Sequence, residues 1–222
     1  NIVFPDANLD KAVEAAYLGI YFNGGQVCCA GSRLFVHEDI YDSFIQKFIE
    51  KSKKIKIGDP FDSDTELGPI VDKIQLDSIM NFIDDARASG ATISFGGNKI
   101  DRKGYYMSPT VITNVDDSNP VVQKEVFGPV VCVLKFKTTQ EVIERANNSN
   151  YGLAAAVHTT SLTTAMKVSN ALDAGTVWTN CYNVFEDQMP FGGYKESGYG
   201  RDCGEYAIQE YTQVKSVLIN IE

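Results

Sequence analysis

The residue best suited to chemistry is a cysteine flanked by glycines. Cys28 lies in the segment Asn23-Gly-Gly-Gln-Val-Cys-Cys-Ala-Gly-Ser-Arg33. A nucleophilic thiol needs exposure, a route to the thiolate and donors for the carbonyl oxygen that it attacks. Glycines let the backbone approach a ligand closely, which suits such a site. The alternative is a buried, inert thiol, the commoner fate of cysteine. No nearby histidine completes a cysteine–histidine pair, so a papain-like hydrolase is not indicated.

A second candidate is an acid followed by an aromatic residue and a Gly-Pro turn. Glu125 and Phe127 lie in the segment Gln123-Lys-Glu-Val-Phe-Gly-Pro-Val130. One interpretation is a carboxylate for ribose hydroxyls and a ring for a planar cofactor. The other is a solvated charge beside a core phenylalanine.

Two later segments also leave two interpretations open. The aromatic residues of Trp178-Thr-Asn-Cys-Tyr-Asn-Val-Phe185 fit an apolar substrate wall or ordinary core anchoring. The glycine-rich segment 190–201 suggests a phosphate cradle, yet it lacks the G-x-x-x-x-G-K-[ST] spacing. A packed loop at a subunit contact is the alternative.

Short β-rich runs alternate with amphipathic windows along the chain. We predict strands over residues 2–4, 34–36, 92–95, 109–112, 130–136, 154–159, 176–178 and 214–221. We predict helices over residues 8–21, 38–54, 72–89, 139–147 and 162–172. This order predicts an α/β fold with three layers, in which a mainly parallel sheet carries helices on both faces. The long loops at 24–31 and 181–200 are where function is expected.

Composition limits the classes of function. The 222 residues are 44% hydrophobic and carry a formal net charge of −9, so a full core is expected, and nucleic acid and membranes are unfavoured partners. The five cysteines have no disulfide framework spacing, which indicates free thiols in a reducing compartment. With two distant histidines and no CxxC motif, no metal site is predicted. The sequence shows no spanning apolar run and no signal peptide.

The motifs together resemble those of the NAD(P)-dependent aldehyde dehydrogenase superfamily, and most closely its broad aliphatic class of cytosolic and mitochondrial members. The resemblance covers the whole chain, with five motifs in order. They are Gly25-Gln-Val-Cys-Cys-Ala-Gly-Ser-Arg33, Lys124-Glu-Val-Phe-Gly-Pro-Val130, Ala146-Asn-Asn-Ser-Asn-Tyr-Gly-Leu-Ala154, Gly175-Thr-Val-Trp-Thr-Asn180 and Pro190-Phe-Gly-Gly-Tyr-Lys-Glu-Ser-Gly-Tyr-Gly-Arg201.

The resemblance implies a role for each matching residue. Cys28 corresponds to the nucleophile that forms a thiohemiacetal and then a thioester, with its own N–H contributing to the oxyanion hole. Glu125 and Phe127 correspond to residues at the ribose and ring of the nicotinamide of NAD or NADP, and Gln75 to a residue near the same ribose. The implied substrate tunnel, for a small aliphatic or aromatic aldehyde, comprises Phe22, Val27, Cys29, Phe185 and Phe191.

The sequence also departs from the family pattern. Family chains are much longer, and the Glu-Leu-Gly-Gly-Lys segment with the general base falls before residue 1, as do the oxyanion asparagine and the cofactor-binding domain. We therefore expect a catalytic domain over 1–200, a C-terminal oligomerisation segment over 201–222, and no N-terminal cofactor-binding domain. The chain is expected to be part of a longer enzyme and inactive alone. The alternative is a naturally short scaffold or assembly protein with, at most, thiol esterase activity. The resemblance further implies a homodimer or homotetramer, in the cytoplasm or the mitochondrial matrix.

Overall fold

The computed structural model describes residues 1–222. Its strands are β1 (Ile2–Val3), β2 (Arg33–His37), β3 (Thr92–Phe95), β4 (Thr110–Thr113), β5 (Val130–Phe136), β6 (Tyr151–Gly152), β7 (Ala154–His158), β8 (Thr176–Thr179) and β9 (Tyr194–Lys195). Its α-helices are α1 (Leu9–Tyr21), α2 (Tyr41–Ser52), α3 (Lys73–Ala88), α4 (Pro120–Gln123), α5 (Thr139–Asn147), α6 (Leu162–Ala171) and α7 (Ala207–Tyr211). Short 3-10 helices cover Phe22–Gly25 and Glu38–Ile40.

Seven strands form one central sheet in the order β3-β4-β5-β2-β1-β7-β8. Only the edge strand β3 runs antiparallel, against β4, and every other pairing is parallel. The predicted α/β fold with a mainly parallel sheet is therefore confirmed.

Alternating side chains of the central strands build two cores, one on each face of the sheet. Val3, Leu34 and Val36 pack on one face with residues of α1 and α2, such as Ile20 and Phe44. Their neighbours in sequence point to the other face, where α3, α4, α5 and α6 cover the sheet. Because strand side chains alternate, one apolar run can supply both cores.

Four of the five predicted helices begin at polar caps that the sequence already contains. The side chains of Asn8, Asp72, Thr138 and Ser161 each accept a backbone N–H from the first turn of α1, α3, α5 and α6. Such caps satisfy donors that the helix leaves unpaired. This explains why the predicted starts of these helices agree with the structure within one residue.

The predicted strand over 214–221 is wrong for the chain by itself. Residues 212–222 form no helix or strand, and Val214 and Leu218 are fully exposed. A strand needs a neighbouring strand for its backbone hydrogen bonds, and this segment contacts none within the chain. The predicted helix over 38–54 is also shorter than expected, because its first residues form the 3-10 turn at Glu38–Ile40.

Candidate active site

A cavity of about 170 Å³ opens at the amino ends of β1, β2, β5 and β7. Its wall includes Val27, Cys28, Cys29, Glu125 and Phe127. The structure thus brings together two motifs that lie about one hundred residues apart in sequence. Parallel sheets usually bind ligands at the carboxyl ends of their strands. Here the loops that enter β2 and β5 carry the candidate residues, so the site lies at the amino ends of the strands instead.

Cys28 is exposed at the cavity, whereas Cys29 beside it is buried, with 5% of its surface accessible. Burial raises the pKa of the Cys29 thiol to about 11 and that of Cys132 to about 12. Both therefore stay neutral thiols at neutral pH, and they are unreactive because the thiolate is the nucleophilic form. The inert-thiol interpretation fits Cys29 and Cys132 but not Cys28.

A close backbone contact joins the loop of Cys28 to the loop of Phe127. Gly24 and Gly25 both have left-handed backbone angles, with φ of +65° and +68°. A Cβ on Gly25 would lie 2.1 Å from the carbonyl oxygen of Gly128. Only glycine satisfies both the backbone angle and this approach. The glycines of the motif thus hold the two loops together at the cavity.

Gln75 lies behind the Phe127 turn and supports it. Its side-chain Nε2 donates to the carbonyl oxygens of Val126 at 3.1 Å and of Phe127 at 2.8 Å. Phe127 has a positive φ of 54°, which is costly for a bulky residue and needs such support. The Phe127 ring remains 38% exposed. Gln75 is not on the cavity wall, and its expected place near the ribose stays a prediction.

The predicted tunnel residues fall into two groups. Val27 and Cys29 lie on the cavity wall. Phe185 and Phe191 are not on this wall and pack edge-to-face on each other, with ring centroids 5.3 Å apart. Phe191 also packs against the cluster that contains Cys29 and Tyr182. Phe22, at the end of α1, is 57% exposed and also lies off the wall.

Tyr182 and Asn183 are site residues that the sequence analysis did not single out. The Tyr182 hydroxyl donates to the carbonyl oxygen of Cys29 at 2.8 Å, and the Cys29 thiol donates to Oδ1 of Asn183 at 3.4 Å. Trp178 packs against Tyr182, with ring centroids 4.8 Å apart. The aromatic segment after β8 therefore supports the cysteine loop, and the aromatic spacing was its only sequence signal.

Arg33 was also missed, although it closes the cysteine motif. Its guanidinium lines the cavity and donates to the carbonyl oxygens of Arg145 at 2.7 Å and Ala146 at 3.1 Å, at the end of α5. These are carbonyls that a helix leaves unpaired. Arg33 thereby fixes the start of β2, which follows the cysteine loop.

The glycine-rich segment 190–201 packs against the chain itself. Within it, β9 pairs with β6, and Lys195 Nζ donates to the carbonyl oxygens of Asn147 at 2.7 Å and Ser149 at 3.2 Å. A Cβ on Gly175 would lie 1.7 Å from the carbonyl oxygen of Gly192. The segment is thus packed within the chain, and the subunit contact of its alternative interpretation stays a prediction.

No three acidic, histidine or cysteine side chains are grouped to hold a metal ion. None of the helices combines the length and the apolar character that crossing a bilayer requires.

Comparison with known proteins gives consistent matches along the chain. The sequence model of the aldehyde dehydrogenase family matches residues 1–217. An aldehyde dehydrogenase of Alternaria alternata is 54% identical over 221 residues, which are 100% of this chain and 44% of that protein. The human protein named aldehyde dehydrogenase, mitochondrial, is 51% identical over 100% of this chain and 43% of its own length.

Solved structures agree with the sequence matches. The NAD+ complex of an aldehyde dehydrogenase from Bacillus cereus superposes with a TM-score of 0.97 at 48% identity, over 100% of this chain and 45% of that one. Betaine aldehyde dehydrogenase from Staphylococcus aureus, in complex with NAD+, gives 0.93 at 48% identity, over 95% of this chain and 43% of that one. The chain spans less than half the length of these relatives. It belongs to the aldehyde dehydrogenase family.

Proposed function

We propose that this chain supplies the cysteine-bearing part of an NAD(P)-dependent enzyme that oxidises an aldehyde to a carboxylic acid. The observation that carries the proposal is the exposure of Cys28 on a cavity wall that it shares with Glu125 and Phe127. The family match supports aldehyde oxidation as the reaction class.

The cofactor part of the proposal rests on two residues and on the neighbouring structures. The Glu125 carboxylate is exposed at the cavity and can accept hydrogen bonds from ribose hydroxyls, and the exposed Phe127 ring can pack on a planar ring. Both relatives with matching structures are NAD+ complexes. When bound, the nicotinamide accepts a hydride from the substrate.

Cys28 carries the covalent chemistry in this proposal. Its sulfur attacks the carbonyl carbon of the aldehyde and forms a thiohemiacetal, and backbone N–H groups of the loop stabilise the oxyanion. After oxidation the acyl group remains on Cys28 as a thioester, which water hydrolyses. Val27 and Cys29 line the cavity beside the nucleophile and contribute apolar surface there, which suits a small aliphatic or aromatic aldehyde.

The test measures NADH at 340 nm with an aliphatic aldehyde. We expect activity from a protein that joins this chain to the remaining part of such an enzyme, and its loss in Cys28→Ser, while Cys203→Ser at the other exposed cysteine keeps it. We expect no turnover from the 222 residues alone, because they correspond to 44% of the length of the Alternaria relative. Normal turnover in Cys28→Ser would refute the assigned nucleophile.

We also propose that residues 214–221 pair with a neighbouring subunit of a homodimer or homotetramer. The support is their exposure, since Val214, Leu218 and Ile221 are more than 90% accessible. Exposed apolar segments of this kind mark interaction surfaces or aggregate. Light scattering should show an oligomer that Leu218→Asp reduces in mass, whereas an unchanged mass would contradict the pairing.

The compartment proposed is the cytosol or the mitochondrial matrix. One human relative is named as mitochondrial. Fractionation of source cells with an antibody against this chain tests the assignment, and recovery from a secreted fraction would exclude it.

A further inference from the structure

Cys29, the residue after the proposed nucleophile, is held both at its backbone and at its side chain. Its carbonyl oxygen accepts the Tyr182 hydroxyl at 2.8 Å, and its thiol donates to Oδ1 of Asn183 at 3.4 Å. The two partners are consecutive residues that lie more than 150 positions away in sequence. Two contacts fix the rotation of a residue that one contact would leave free.

The partner Tyr182 is itself fixed in place. It is 4% exposed, and its ring packs against Trp178. Gly31 leaves room for it, because a Cβ there would lie 3.0 Å from the Tyr182 hydroxyl oxygen. Burial raises the pKa of Tyr182, so the hydroxyl keeps its proton and remains a donor.

Asn183 is held in an unusual backbone conformation. Its φ is 54°, in the left-handed region that asparagine tolerates better than most residues. The Trp178 indole N–H donates to the carbonyl oxygen of Val184 at 2.7 Å and so closes the loop that contains Asn183. The segment that contacts Cys29 is thus fixed from both sides.

We propose that Tyr182 and Asn183 are positioning residues for the Cys28 nucleophile, acting through Cys29. The inference rests on the proposed function, since it assumes that Cys28 reacts. Cys28 and Cys29 are the two central residues of a turn, which is closed by the Ala30 N–H donating to the carbonyl oxygen of Val27 at 3.0 Å. Because the two residues share one rigid peptide plane, holding Cys29 against the core also fixes the direction of the Cys28 side chain at the cavity. A nucleophile displaced by about 1 Å can react about 100-fold more slowly.

The test uses the 222-residue chain and p-nitrophenyl acetate, which requires no cofactor. The Cys28 sulfur bonds to the acetyl carbon, the ester C–O bond breaks, p-nitrophenolate leaves and the thiol proton passes to solvent. Stopped-flow absorbance gives the acylation rate constant at saturating ester and the half-saturating concentration. Mass spectrometry of the intact chain should show one added acetyl group. The absence of this group in Cys28→Ala would assign it to Cys28.

We expect Tyr182→Phe to reduce the acylation rate constant between about 10-fold and 100-fold, with little change in the half-saturating concentration. The matched control is Tyr199→Phe, at a tyrosine that is fully exposed and takes part in none of these hydrogen bonds, and it should react like the unmodified chain. Circular dichroism establishes that each variant is folded. A merely structural role for Tyr182 would leave the rate constant of folded molecules unchanged.

Asn183→Gly is the second variant and decides the result if Tyr182→Phe fails to fold. Glycine accepts the left-handed φ, so the substitution removes only the side-chain contact. We expect acylation to be about threefold slower or more. Wild-type rates in Asn183→Gly and in any folded Tyr182→Phe would overturn the inference. No acetylation in the unmodified chain, or acetylation that persists in Cys28→Ala, would instead overturn the proposed function.

Discussion

The contact between Gly25 and Gly128 predicts that Gly25→Ala is among the most damaging single-methyl additions at this site. A Cβ at Gly25 would lie 2.1 Å from a backbone oxygen, so the two loops must separate by about 1 Å to reach an ordinary contact. The left-handed φ adds about 1–2 kcal/mol for an alanine. Overpacking of this kind costs about 1–3 kcal/mol. The free energy of unfolding should therefore fall by about 2–5 kcal/mol.

Gly24→Ala is the matched control, because the neighbouring glycine has nearly the same φ of +65°. A Cβ at Gly24 would meet Nε2 of Gln26 at 3.2 Å and Cδ1 of Leu67 at an ordinary 3.8 Å, and no backbone atom within 4 Å. Urea unfolding followed by circular dichroism compares the two variants. Gly25→Ala should lose about 1–3 kcal/mol more than Gly24→Ala, and its Cys28 acylation should slow, because the loops separate at the cavity. Equal losses would refute the close contact.

Three further predictions concern other parts of the site and core. Gln75→Glu keeps the size of the side chain but removes the N–H donor that supports the turn at 126–127. Urea unfolding should show a free energy of unfolding lower by about 1–3 kcal/mol, and an unchanged unfolding midpoint would contradict this support. Iodoacetamide near pH 7 should label Cys28 before Cys203, as followed by peptide mass spectrometry. Cys132 should stay unmodified, because it is buried and its pKa is raised to about 12. Equal labelling of the three would mean that the cysteine loop is not folded as described. Burial, and after it the charge of the amino terminus, lowers the pKa of His158 from 6.5 to about 4. Between these two pH values the unfolded chain binds a proton at His158 and the folded chain does not. The free energy of unfolding should therefore decrease by roughly 3 kcal/mol as the pH falls through this window. His158→Gln should flatten that decline in urea titrations between pH 4 and 7, and an equally steep decline in the variant would exclude His158 as its source.

Local signals predicted much of the fold. Asn8, Asp72, Thr138 and Ser161 cap their helices through contacts three residues along the chain, which a sequence pattern contains in full. The glycines around Cys28 left a reactive and a buried thiol open, and only the resemblance to a known family favoured the reactive one.

Long-range contacts could not be predicted in the same way. The hydrogen bonds from the segment at 182–183 to Cys29, and from Arg33 to the end of α5, join residues more than 100 positions apart. Nothing local to Tyr182 indicates that its hydroxyl meets a carbonyl of the cysteine loop. The strand predicted over 214–221 failed for a related reason, since strand propensity does not supply a pairing partner.

The position of the cavity at the amino ends of the strands has an electrostatic consequence. In a parallel α/β fold the helices run opposite to the strands, so α1, α5 and α6 end near the amino ends of the strands, and residues at all three ends line the cavity. Helix carboxyl ends carry about half a negative charge each. Arg33 offsets this at α5 alone. These helix ends favour positive charge at the cavity. In the proposed function they would therefore favour the positively charged oxidised nicotinamide over its neutral reduced form.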